Sequence, residues 1–154
     1  KYTTQQYLLA VELLRQNFSN PAITTDVIVG FPTETDAEFE NTCNFVQKVG
    51  FAQMHIFPYS NRNGTVASKL YKPLDGKVLK QRTKILQKIA SQMEENYINQ
   101  NLGETMQVLI EEQKDGYFYG FTPNYLKIRT KLPQKIGQIV QVKLGDTDFE
   151  IIKK

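Results

Sequence analysis

The spacing of apolar positions changes from helical to strand-like near residue 103 and so divides the chain. Upstream, Leu8, Val11 and Leu14, with Leu9 and Leu13 beside them, recur at helical intervals. Thr3 and Gln6 have the spacing of a capping box, which predicts a helix from Thr3 to Asn17, broken by Asn20-Pro21. Residues 23–29 are β-branched at nearly every place, the composition of a parallel strand covered on both faces. Thr35 and Glu38 form a second capping box. Phe39, Cys43, Val46 and Val49 line one face of the helix it opens, and Gly50 stops it. Residues 52–57 make a second strand. The resulting α-β-α-β order is a parallel crossover unit, right-handed by the general rule. Both strands open on the same side into loops rich in Gly and Pro, the side on which such sheets bind ligands. A polar loop follows Tyr59 as far as about Gly76. A long helix then spans roughly 77–101, with Leu79, Arg82, Leu86, Ile89, Met93 and Tyr97 on one face and Lys80, Lys84 and Lys88 on the other. Asn101-Leu102-Gly103 ends it.

From Glu104 the period is two. Met106, Val108 and Ile110 alternate with polar neighbours. Tyr117, Tyr119 and Phe121 alternate around Phe118 and Gly120, and Tyr125, Lys127 and Arg129 around Leu126 and Ile128. Residues 139–144 and 149–152 complete about five short strands, with turns at Asp115-Gly116, Pro123-Asn124, 133–137 and Gly145-Asp146. Five strands in so short a span predict a small antiparallel barrel, closed or partly closed, of the size of an OB module.

Charge sharpens this picture more than composition does. The net charge of the 154 residues is only +3, but 116–145 holds Lys127, Arg129, Lys131, Lys135 and Lys143 and no acidic residue. Such a stretch makes a local positive field of the kind phosphates follow. One cysteine excludes an internal disulfide and suits a reducing, cytoplasmic setting. No segment has the length of apolar sequence that a membrane span or signal peptide needs, so no membrane partner is expected. Lys1 is not an initiator Met, which agrees with a fragment or processed chain.

Three strings carry candidate chemistry. In Gly30-Phe31-Pro32-Thr33-Glu34-Thr35, a glycine without Cβ ends a parallel strand and allows close backbone approach, while the next helix offers unpaired N–H groups. A plain strand-to-helix turn is the simpler reading. The second is His55-Ile56-Phe57-Pro58-Tyr59-Ser60-Asn61-Arg62-Asn63-Gly64-Thr65. Its histidine reads better as a hydrogen-bonded, inward-facing strand residue than as a base or ligand. Arg62 is either a site residue or a surface ion pair. The third, Gly120-Phe121-Thr122-Pro123-Asn124-Tyr125-Leu126-Lys127-Ile128, sets aromatics beside Lys127, Arg129 and Lys131. These can stack on bases while the cations meet phosphate, or Tyr117, Tyr119 and Phe121 can simply fill the barrel. Cys43 lies on the apolar face of its helix and reads as buried and inert.

The first string resembles the Gly-Phe-Pro-Gly-Glu-Thr of the radical-SAM methylthiotransferases that modify tRNA, with Thr33 in place of the second glycine. The second resembles their Tyr-Ser-x-Arg-x-Gly-Thr signature. Its preceding His-x-Phe-Pro is similar to the subgroup acting on threonylcarbamoyladenosine. The third resembles the TRAM domain that ends these enzymes, and Lys1-Tyr2-Thr3 the end of their Met-x-Arg-x-Tyr-Thr segment. The resemblance implies the carboxy-terminal part of such an enzyme. Residues 1–75 would be late βα units of a truncated, TIM-type parallel barrel, 76–103 a helix closing it, and 104–154 an RNA-binding TRAM-like β-barrel. It implies S-adenosylmethionine as cofactor, with Ile28, Gly30, Phe57 and Pro58 beside its adenine, and Arg62 at the mouth of the active site. Lys127, Arg129 and Lys131 would meet the tRNA anticodon stem-loop. The family's 4Fe-4S cluster, held by a Cys-x3-Cys-x2-Cys motif absent from this chain, cleaves the cofactor reductively. The resulting radical activates C2 of the adenosine beside the anticodon, where a methylthio group is inserted. The fragment alone is expected to be inactive, to pair with the missing amino-terminal part of the enzyme, and to self-associate through its exposed barrel edge. Two alternatives remain open: a stand-alone RNA-binding protein with a degenerate barrel remnant, or a sister enzyme acting on isopentenyladenosine or a ribosomal protein.

Overall fold

The computed structural model describes residues 2–153, with every side chain among them except that of Leu70; Lys1 of the Lys1-Tyr2-Thr3 segment lies outside them. The chain forms two compact units. One comprises Ile23–Glu94 with the residues as far as Leu13, the other Leu14–Ala22 with Glu95 onward.

The first unit contains β1 (Thr24–Val29), α2 (Asp36–Val49), β2 (Gln53–Pro58) and α3 (Val66–Leu70), with most of α1 (Thr4–Asn17) and α4 (Gly76–Asn101). Both predicted capping boxes form. Thr3 N–H donates to Gln6 Oε1 at 2.8 Å and Gln6 N–H to Thr3 Oγ1 at 3.2 Å, and Thr35 and Glu38 reciprocate in the same way. The backbone bond from Thr35 holds the Glu38 carboxyl below its usual range. Gly50 closes α2 in the left-handed conformation at φ 65°. β1 and β2 pair in parallel from Thr24 opposite Gln53 to Val29 opposite Pro58. Val29, Phe39, Val46, Val49, Phe51, Met54, Leu86 and Met93 make the core.

Two expectations need correction. The strands are not covered on both faces: Thr24, Asp26, Ile28, His55 and Phe57 are exposed, and only the alternate positions meet the helices. One helical layer covers one face of a sheet, whatever the β-branched content of its strands. The loop after Tyr59 is also not wholly irregular, because Thr65 caps the short helix α3 by accepting from Ser68 N–H at 3.2 Å.

The second unit holds β3 (Thr105–Lys114), β4 (Tyr117–Phe121), β5 (Lys127–Thr130), β6 (Ile139–Lys143) and β7 (Glu150–Ile152). They form one antiparallel sheet in the order β6-β3-β4-β5-β7. One face buries Val108, Ile110, Ile128 and Val142 with Leu126, Leu144 and Ile98. Gly120 belongs to this packing. A Cβ there would lie 2.2 Å from the Leu109 carbonyl oxygen and 2.7 Å from Val108 Cγ1, so only glycine lets β3 approach so closely. The five antiparallel strands are as expected, but β6 and β7 remain edges, so the ring of hydrogen bonds is not closed.

Candidate cofactor wall and nucleic-acid interface

The carboxyl ends of β1 and β2 carry an exposed apolar surface. Ile28 and Phe57 are register partners on the uncovered face, 62% and 52% exposed. Just beyond the strands Phe31 meets Tyr59 edge-on, with ring centroids 5.4 Å apart. Pro58 is exposed at the end of β2, and Arg62 is exposed in the turn after it. The Arg62 carbonyl accepts from Thr65 Oγ1 at 2.9 Å. His55 stands opposite Asp26 on the uncovered face, exposed, rather than facing inward as expected.

Gly30 has φ 77°, and a Cβ there would lie 2.3 Å from Leu79 Cδ1. Its N–H donates to Glu34 Oε2 at 3.0 Å and is thus satisfied within the loop. Arg82 fixes the same carboxylate. Its guanidinium donates to Glu34 Oε2 at 2.7 Å, to the Glu34 carbonyl at 3.0 Å and to Asp36 Oδ1 at 2.6 Å, and it lies 5.2 Å above the Phe39 ring. Burial opposes the Arg82 charge, but the bonds to Asp36 and Glu34 outweigh it and its pKa is raised. The loop around Gly30 is therefore clamped from α4.

Cys43 is buried on α2, and burial pushes its thiol pKa up, which suits the inert reading. Among the described residues no three His, Cys, Asp or Glu side chains stand together as a metal site. The residues of this chain do not fit an iron–sulfur cluster, which needs several thiolates.

In the second unit the sheet face opposite the core carries alternating rings and cations. Tyr119 is opposite Arg129 and Phe121 opposite Lys127. Lys127 Nζ lies 5.0 Å from the Tyr119 ring centroid and 5.9 Å from that of Phe121. The Arg129 guanidinium lies 4.7 Å and Lys131 Nζ 5.2 Å from the Tyr117 ring. Register thus separates the aromatics: Phe118 packs on the core, whereas Tyr117, Tyr119 and Phe121 line the outer face rather than fill a barrel. Arg129 is also ion-paired, its Nε donating to Glu150 Oε2 at 2.7 Å, and this bond raises its pKa. The acid-free stretch receives that counter-charge from β7.

Beside this face a buried polar network holds the turn after β4. Asn124 Nδ2 donates to Asn101 Oδ1 at 2.9 Å and to the Asn20 carbonyl at 3.2 Å, while Thr122 Oγ1 donates to Asn124 Oδ1 at 2.7 Å. The Tyr97 hydroxyl lies 3.0 Å and 2.9 Å from the carbonyls of Asn20 and Asn124, and burial pushes its pKa up to about 12. The sequence reading missed this network and the Arg82 clamp. For the clamp a signal existed: a cation inside the apolar stripe of α4 requires buried counter-charges.

No protein-family model matches the chain. Sequence similarity extends over almost its whole length to threonylcarbamoyladenosine tRNA methylthiotransferase MtaB of Bacillus subtilis, 35% identical over 150 residues, 94% of this chain and 33% of that protein. The same enzyme of Aquifex aeolicus is 34% identical over 92% of this chain and 33% of its own length. The tRNA-2-methylthio-N(6)-dimethylallyladenosine synthase of Staphylococcus haemolyticus is 34% identical over 96% of this chain and 29% of its own. The chain thus spans about a third of the length of these curated relatives. This similarity is carried by both units, and over its length the chain resembles about a third of a tRNA methylthiotransferase.

Proposed function

We propose that the chain is the carboxy-terminal part of a cytosolic radical-SAM enzyme that methylthiolates C2 of threonylcarbamoyladenosine next to the tRNA anticodon. The first unit supplies part of the wall for S-adenosylmethionine. Ile28 and Phe57, side by side and exposed at the carboxyl ends of parallel strands, fit the face of an adenine. The Gly30 carbonyl and Pro58 lie at the same end of the sheet, and the Arg82–Glu34 clamp keeps that loop in place. S-adenosylmethionine, when bound, provides the radical and methyl-transfer chemistry; this chain orients it and excludes water around the adenine. Arg62 sits in the following turn for contact with the substrate. The second unit grips RNA, and its alternating rings and cations are the observation that carries this assignment. The dimethylallyladenosine-directed relatives, at the same level of identity, favour a second reading in which the substrate is that adenosine.

The test is a titration of a tRNA anticodon stem-loop at several salt concentrations. Each phosphate neutralised contributes about 0.7 to 0.9 to the slope of log affinity against log salt. Replacing Lys127, Arg129 and Lys131 by Ala should flatten the slope by about two, because Arg129 is already partly neutralised by Glu150. Coincident slopes for wild type and variant would refute the assignment of this face.

A further inference from the structure

The outer face of the five-stranded sheet contains a cleft of about 280 Å³ that the rings and cations described above do not fill. Its lining includes the apolar Leu109, its register partner Ile139, and Phe121, together with Tyr125, Gln107 and Glu111. Two features set it apart from an ordinary surface depression. Tyr125 is 71% exposed and adopts φ 63°, a left-handed conformation rare for an aromatic residue. The Asn124–Asn101–Thr122 network imposes that conformation on the turn, so that buried hydrogen bonds hold an exposed ring at the cleft. Glu111 is the extra residue of a β-bulge: the β3–β4 register jumps from Ile110 opposite Gly120 to Glu112 opposite Tyr119. Bulges re-aim a side chain, and this one gives the cleft a carboxylate.

The chemistry of the lining selects an occupant. An apolar floor with an exposed ring suits a planar heterocycle, and Lys127, 5.9 Å from the Phe121 ring, offers a cation for the attached phosphate. Glu111 repels phosphate from the cleft itself and can only accept hydrogen bonds while ionised. We propose that the cleft holds one unpaired nucleobase, stacked on Tyr125, with Glu111 accepting from an exocyclic amine. This rests on the reading of the outer face as an RNA interface and adds a base-discriminating residue to it. Bases with an amine, such as cytosine, should be favoured over uracil, whose carbonyl in the same place would face a carboxylate.

The experiment measures fluorescence anisotropy of short oligocytidylate and oligouridylate of equal length with the 154-residue chain. The variants are Tyr125→Asn, which keeps a residue tolerant of positive φ, Glu111→Gln, and Lys127→Ala with Lys131→Ala; thermal melting confirms that each folds. Wild type should prefer oligocytidylate about three- to tenfold. Tyr125→Asn should weaken both oligomers roughly tenfold with the salt slope unchanged. Glu111→Gln should bring the preference to unity, although loss of its charge raises affinity for both. If binding is salt-dependent and weakened by the lysine changes, but Tyr125→Asn and Glu111→Gln leave affinity and preference unaltered, the cleft proposal is wrong and the RNA face stands. If no oligomer binds even at low salt, both are wrong.

Discussion

An arginine that is 5% exposed must find its counter-charges within the fold, and Arg82 finds them on Glu34 and Asp36, at the loop where β1 ends. The two pairs are unequal. The Asp36 side chain is 98% exposed and solvent screens its contribution, whereas Glu34 is largely buried and also accepts from Gly30. Arg82→Gln leaves the Glu34 carboxylate without its cation and should cost about 3 kcal/mol in denaturant unfolding. Arg82→Lys should recover part of this. The Tyr97 hydroxyl makes a different prediction. Its pKa is raised from 10 to about 12, so the stability it contributes is full below pH 10 and is lost as pH rises through 12. Tyr97→Phe should flatten the alkaline limb of a stability–pH profile in that window; an unchanged limb would show that Tyr97 ionises freely in the folded chain. From the sequence, Arg82 was legible only as an oddity in an apolar stripe. Its partners, more than forty residues earlier, follow no local period. The asparagine network was silent for the same reason: Asn20, Asn101 and Asn124 come together only in the folded chain.

Helices and strands, being set by local period and capping, were readable nearly to the residue: 23–29 became Thr24–Val29 and 77–101 became Gly76–Asn101. The five residues of α3 were not, since one turn with a Thr65 cap leaves no apolar stripe to detect. Burial of the β1–β2 pair was misread because composition records what a strand can tolerate, not what covers it. Those strands now present an uncovered face with Ile28 and Phe57, and a two-stranded sheet has free edges on both sides. Self-association through this face is the expected outcome in sedimentation velocity, relieved by Ile28→Lys with Phe57→Lys. A wild-type chain that stays monomeric at high concentration, with β1 and β2 amides fully protected from exchange, would contradict it.

At the scale of the molecule, the chain joins a parallel pair with one uncovered apolar face to a sheet with a cationic, aromatic outer face, and no helix among the described residues is long and apolar enough to cross a membrane. Which aromatics pack and which face outward could not be read from alternation alone, because period two fixes two faces without saying which is buried. Pairing Gly120 with Ile110 and Ile128 decides it, placing Phe118 inside and Tyr117, Tyr119 and Phe121 outside. The RNA reading stands on that separation, and photochemical cross-linking tests it most directly. Ultraviolet irradiation of the chain with an anticodon stem-loop, followed by mass spectrometry of the adducts, maps contacts to single side chains. Cross-links should concentrate on Tyr117, Tyr119, Phe121 and Tyr125 and fade as salt rises. Adducts confined to Tyr7, Tyr59 or Tyr71, with none on β4 or the turn after it, would contradict an RNA-binding outer face.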